Sequence, residues 1–206
     1  MYNETAMPRL TVPGDFDRSE HGYIVIAPLS EQSKQVVYGI QEQLAQLFPS
    51  SSFWFPRGDQ LHITFAHVLS PDSDYLTDPE ELAKALGPQA IEVLQYIIPN
   101  PLRLEVSFNA IEAHESTVII KGHDDGGYDR LRKAYEESIE LPPETRKPPT
   151  IIHSTIARFR DELDFDKLKA FVDGLTVSFT EVTTELHYIH EKKIYVQEHD
   201  IIARFP

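Results

Sequence analysis

Two short segments of this chain carry side chains suited to proton transfer at a phosphorus centre. Residues 61 to 65 read Leu-His-Ile-Thr-Phe, and residues 152 to 156 read Ile-His-Ser-Thr-Ile. Each is a His-x-Thr inside a run with strand character. Side chains alternate faces along a strand, so residues i and i+2 point the same way. His62 and Thr64 then share one face, and His153 and Thr155 share another. Two such pairs, brought face to face, offer an acid, a base and two hydroxyl donors. In-line displacement at phosphorus asks for a base at the nucleophile and an acid at the leaving oxygen. Histidine suits both roles, because its ordinary pKa of about 6.5 lies near working pH. The two threonines would donate to the non-bridging oxygens, where charge builds in the transition state.

His-x-Ser/Thr is a cheap pattern in a chain with nine histidines. A third copy, His114-Glu115-Ser116, falls at an expected hairpin turn with a charge in its middle, and is discounted. The two retained copies sit in apolar strands, each after a helix, at matching places in the two halves.

The elements that must position them follow from periodicity. Gly22 to Leu29 reads as a buried strand. Ser30 is an N-cap for an amphipathic helix over 31–48, with apolar residues at helical spacing. Residues 49–60 form a loop, and the first His strand spans 61–69. A helix over 79–98 is expected to break at Gly87-Pro88, since proline suits a helix start and not its interior. Strands are predicted over 102–113 and 117–121, and a helix with Tyr128, Leu131, Tyr135 and Ile139 inward. The proline-rich stretch 141–149 must be a stiff extended loop. The second His strand, 151–159, follows it. A short helix over 164–173 and strands over 175–183, 185–195 and 200–205 close the chain. Irregular alternation with hairpins predicts an α+β fold with mainly antiparallel sheet. The order strand, helix, His strand occurs in both halves.

The resemblance is to the 2H (two-histidine) phosphoesterase superfamily, which includes the LigT-like RNA 2′,3′-cyclic phosphodiesterases. It is carried by His62-Ile63-Thr64-Phe65 and His153-Ser154-Thr155-Ile156, and by an element order that fits from about residue 22 to 205. It implies a bilobal, pseudo-two-fold fold with flanking helices around a central cleft. It also implies a metal-independent phosphodiesterase whose catalytic residues are His62, Thr64, His153 and Thr155. Ser154 stands where the family more often has an apolar residue. By the same resemblance His62 is the acid and His153 the base, although the residues alone leave those roles open. The expected substrate is a 2′,3′-cyclic phosphate or a 2′-5′ phosphodiester of RNA or a small nucleotide. Two alternatives stay open: a non-catalytic module that binds nucleotides or RNA ends, and an RNA ligase running the reverse chemistry.

Further residues are candidates for substrate contact. Trp54 and Arg57 lie on the 49–60 loop, where an indole could stack a base and a guanidinium could meet a phosphate. Tyr188 lies on a late strand that lines the cleft in the family. Arg158 lies on the second His strand, where counting by twos puts it opposite His153. A surface or ion-pair role for it is therefore expected as readily as phosphate contact. No metal is expected. His187 and His190 fall on opposite strand faces, and Asp72, Asp74 and Asp78 lack the spacing of a calcium loop.

Composition narrows the classes. There are no cysteines, which excludes disulfides, thiolate metal sites and a cysteine nucleophile. No cofactor is expected. The formal net charge of −14 disfavours wrapping a duplex and favours a small anionic substrate or an RNA end. No apolar run is long enough to span a bilayer. Residues 1–20 are polar and read as an N-terminal arm, not a secretory signal. The expectation is one bilobal domain over 21–206, monomeric and cytoplasmic.

Overall fold

The computed structural model describes residues 19–49 and 51–206. Among the described residues, nine strands form two antiparallel sheets, accompanied by four α-helices. The first sheet contains β1 (Ser19–Pro28), β3 (His62–Leu69), β8 (Leu186–Lys193) and β9 (Glu198–Phe205), in the order β3-β1-β8-β9. The second contains β2 (Phe53–Trp54), β4 (Leu104–Ala113), β5 (Thr117–His123), β6 (Ile152–Phe159) and β7 (Phe179–Thr183), in the order β2-β6-β5-β4-β7. The two His strands, β3 and β6, therefore belong to different sheets. Because β9 pairs with β8, and β8 with β1, the last strands of the chain complete the sheet begun by the first. The expected α+β architecture with two antiparallel sheets is present.

The helices are α1 (Glu31–Leu47), α2 (Pro79–Ile97), α3 (Gly127–Ser138) and α4 (Phe165–Asp173). Ser30 caps α1 by accepting from the Ser33 N–H, and Asp78 and Asp164 cap α2 and α4 in the same way. Gly126 precedes α3 with φ of 86°, a conformation that a side chain would resist. The helices bury Val37, Ile40, Leu44, Ala90, Leu94, Tyr128, Tyr135 and Leu168 against the sheets in one contiguous apolar cluster. A second, smaller cluster of Ile24, Ile26, Ile189 and Val196 lies on the other face of the first sheet. Each strand of that sheet thus separates a core face from a cleft face.

Several boundaries differ from expectation. Helix α2 runs unbroken through Pro88. Pro88 is on the exposed side, where water can take the carbonyl it orphans, while Ala83, Ala90 and Leu94 stay buried on the other side. Strand β7 begins only at Phe179, and β8 ends at Lys193 in a tight turn over 194–196. Of the expected N-terminal arm, residues 1–18 lie outside the described residues, and Ser19 and Glu20 belong to β1. Among the described residues no helix is long and apolar enough to cross a membrane.

Candidate functional site

Strands β3 and β6 pack against each other across the gap between the sheets, and a cavity of about 590 Å³ opens there. His62, Thr64, His153 and Thr155 all line it. Alternation along each strand explains this, since Ile63 and Ser154, the residues between, are buried on the opposite faces.

Just beyond each motif the alternation breaks. In the β1–β3 ladder Val25 pairs with Ala66 and Ile26 with Thr64, which leaves Phe65 as an extra residue. In the β5–β6 ladder Val118 pairs with Ala157 and Ile119 with Thr155, which leaves Ile156 extra. These are β-bulges at equivalent positions, three residues after each histidine. A bulge shifts the parity of every residue after it. His67 and Arg158 therefore turn back into the cavity, on the same faces as the His–Thr pairs. For Arg158 the count by twos fails at this point, because the strand is not regular.

A bulge also leaves carbonyls without ladder partners, and each strand solves this with a side chain from a helix. Arg132 of α3 donates to the Thr64 carbonyl at 2.6 Å and the Phe65 carbonyl at 3.1 Å. Gln41 of α1 donates through Nε2 to the Ile156 carbonyl at 2.9 Å and the Pro56 carbonyl at 3.1 Å. Both side chains are buried, at 3% and 1% exposure. Each clamp crosses between the halves: the first-half helix α1 holds the second His strand, and the second-half helix α3 holds the first. Neither residue stands out in the sequence. The bulges leave a trace in it: both motifs continue apolar, Ala, basic, as Phe65-Ala66-His67 and Ile156-Ala157-Arg158.

The ring of His62 is oriented through its backbone neighbour. Its Nδ1 lies 2.8 Å from the Gln60 carbonyl, an acceptor only, so Nδ1 carries the proton and Nε2 holds the lone pair in the neutral ring. Nδ1 of His153 is buried without a hydrogen bond of normal geometry, although the Ile151 carbonyl is near enough to hold up its basicity. Burial drives His62 down to about 4, opposed by the Gln60 carbonyl and reinforced by the charges of His153, Arg158 and His199. Burial also lowers His153, with Ile151 opposing and Arg132, His114 and Arg158 adding. The free protein thus holds two neutral imidazoles at pH 7.

The remaining candidates separate cleanly. Trp54 and Arg158 line the cavity and are cross-strand neighbours in the β2–β6 pair. The Arg158 guanidinium stacks on the Tyr195 ring at 3.6 Å, and Trp54 lies 6.0 Å from the same ring. Tyr195 and Val196 hold φ of 65° and 60°, a region costly to non-glycine residues at roughly 1–3 kcal/mol each. The buried Glu191 carboxylate accepts from the Val196 N–H at 2.8 Å and supports that turn. This strained turn delivers Tyr195 to the site. Arg57 is exposed, lies over the Tyr38 ring at 4.9 Å, and does not line the cavity. Tyr188, expected to line the cleft, is 1% exposed on the core face of β8 beside Tyr23. On β8 it is His187, Ile189 and Glu191 that share the cleft face. Among the described residues, no three His, Asp or Glu side chains are grouped to hold a metal ion.

Solved structures share this architecture. TT0787 of Thermus thermophilus superposes with a TM-score of 0.62 at 16% identity, covering 89% of this chain and 96% of that one. A protein described as a phosphoesterase gives 0.56 at 13% identity, over 90% and 97%. Escherichia coli LigT in its apo form gives 0.55 at 16% identity, over 91% and 98%. The chain has the LigT fold. No family model matches the sequence. No curated protein matches it either. At such identities the LigT likeness concerns the backbone alone.

Proposed function

We propose that this chain is a metal-independent phosphodiesterase that opens a 2′,3′-cyclic phosphate or a 2′-5′ phosphodiester of RNA or a small nucleotide. The observation that carries the reading is the matched placement of two His–Thr pairs, on strands of different sheets, around one cavity. A pure binding site has no need of two oriented imidazoles. E. coli LigT, similar in fold, has been crystallised with 3′-AMP, a phosphomonoester of the class that opening a 2′,3′-cyclic phosphate yields.

In the proposed reaction the diester phosphate sits between the imidazoles. Thr64 and Thr155 donate to its non-bridging oxygens, and Arg158 faces the charge that develops there. His153 takes a proton from water as the oxygen attacks phosphorus. His62 gives a proton to the departing ribose oxygen. Both rings are neutral in the free protein at pH 7, so one must gain a proton before turnover. The substrate's negative charge favours the imidazolium and draws that proton in. A ligase would run the same steps backwards, and assay of both directions separates the two.

The test is a screen of 2′,3′-cyclic nucleotides and 2′-5′ oligoadenylate in EDTA. Turnover is expected in EDTA, with a loss of about 10²–10⁴-fold in His62→Ala and in His153→Ala. Full activity in either variant refutes the reading. Tight nucleotide binding with no turnover of any substrate favours a binding module.

A further inference from the structure

The cavity has two unlike ends. Toward Arg158 it is aromatic, with Trp54 and Tyr195. Along β3 beyond Thr64 it is lined by His67, Pro71, Asp72, Arg146, Lys147 and Pro149. We propose that this second end is an anion subsite for a further phosphate of the substrate, carried 5′ to the ribose that bears the reacting diester. This rests on the phosphodiesterase reading above, and specifies the substrate as a nucleotide with at least two phosphate groups.

Three observations support it. First, His67 is turned inward by the bulge, and its Nδ1 is buried without a partner. Burial, with the nearby Arg146 charge adding, holds this ring neutral in the free protein, down to about 4. With its proton on Nδ1, the ring would donate to a phosphate oxygen seated beside it. Second, the cations stand on an anchored loop. The Arg146 N–H donates to Ser70 Oγ at 2.8 Å, Thr145 Oγ1 donates to the Val68 carbonyl at 3.3 Å, and Ser73 Oγ donates to the Glu144 carbonyl at 2.7 Å. Pro148 and Pro149 stiffen the segment that leads into β6. Third, basic groups gather here in an acidic chain. Acidic residues outnumber basic ones by 33 to 19 overall, yet Arg146, Lys147 and His67 meet at this end, against the carboxylates of Asp72 and of the buried Glu191, which already accepts from the Val196 N–H. Asp72 pairs with Arg146 and is open to water, so an incoming phosphate can displace it. Lys147 makes no ion pair among the described residues.

His67 follows Thr64 by three residues and, past the bulge, lines the same cavity, so one molecule seated against Thr64 can extend to the second end.

Binding is measured by calorimetry for 3′-AMP and for adenosine 3′,5′-bisphosphate, on the wild-type chain, Lys147→Ala, and the Lys147→Ala/Arg146→Gln double variant. Both residues are exposed, and melting curves verify the fold. In wild type the bisphosphate should bind at least tenfold tighter. That ratio should drop several-fold in Lys147→Ala and approach one in the double variant, and it should shrink with added salt. Equal wild-type affinities, or a ratio unchanged in the double variant, overturn the subsite. Neither outcome depends on turnover. The His62→Ala and His153→Ala assays test the phosphodiesterase reading separately, so each claim can fail alone.

Discussion

Strands β3 and β6 make one device twice, with different parts. Both present His and Thr on alternate positions, both bulge three residues after the histidine, and both are held at the bulge by a helix of the other half. They differ in the side chain that holds the bulge and in the basic residue just past it. The first strand is at a sheet edge, is held by the cation Arg132 and leads to His67. The second is flanked by β5 and the short β2, is held by the neutral Gln41 and leads to Arg158. Repetition of the backbone supplies two imidazoles at matched positions. Divergence of the side chains makes those imidazoles and the two ends of the cavity chemically unequal, as the proposed acid–base pair requires.

The largest test of this contrast is Arg158→Ala. Loss of the charge facing the phosphate should lower kcat about 10²-fold, and Arg158→Lys should recover only part of it. Equal rates in wild type and Arg158→Ala would remove the arginine from the chemistry.

Next comes Arg132→Met. It leaves the Thr64 and Phe65 carbonyls orphaned at roughly 1–3 kcal/mol each, so unfolding by urea should show a loss of about 2–6 kcal/mol. Activity should fall at temperatures where the variant is still folded. Gln41→Leu, the matching change on the other strand, also orphans two carbonyls, Ile156 and Pro56, but it gives up neutral bonds where Arg132 makes charge-assisted ones, so its cost should be the smaller of the two. A Gln41→Leu variant less stable than Arg132→Met would break the ranking of the clamps.

The pH profile sharpens the comparison between imidazoles. His62 and His153 are both lowered in the free protein. The form with one ring protonated therefore becomes scarce above pH 6.5, and kcat/KM should fall up to tenfold per unit there, while kcat, measured with the anion bound, should hold to higher pH. The same shifts govern stability. These rings, and His67, bind protons less well folded than unfolded, so their neutral burial is harmless above about 6.5 and destabilising as pH falls toward 4. Melting temperature should decline through that window, and less steeply in His67→Phe.

The smallest effect is expected from Tyr188→Phe, which alters a side chain on the core face. Steady-state rates and KM should stay within about twofold, since the change lies outside the cavity.

Much of this organisation was legible from residue order. Periods of two and 3.6 mark the elements, and the two motifs stand at corresponding strands, because local alternation decides which side chains share a face. Local rules misjudged three places. Arg158 faces inward because a bulge resets the count, and a bulge depends on how a partner strand pairs. Tyr188 faces the core because alternation states which residues share a face, but not which face meets the cleft. Helix α2 passes Pro88 because burial of its opposite side outweighs the local cost.

The sequence by itself determined the chemistry on offer: two strand-borne His–Thr pairs and no thiol. Only the tertiary structure decided how that chemistry is assembled. It set the two strands in different sheets, crossed the Arg132 and Gln41 clamps between halves, and aimed His67, Arg158 and Tyr195 into one cavity. Those contacts join residues 67 to 115 positions apart, and no periodicity within a segment can encode them.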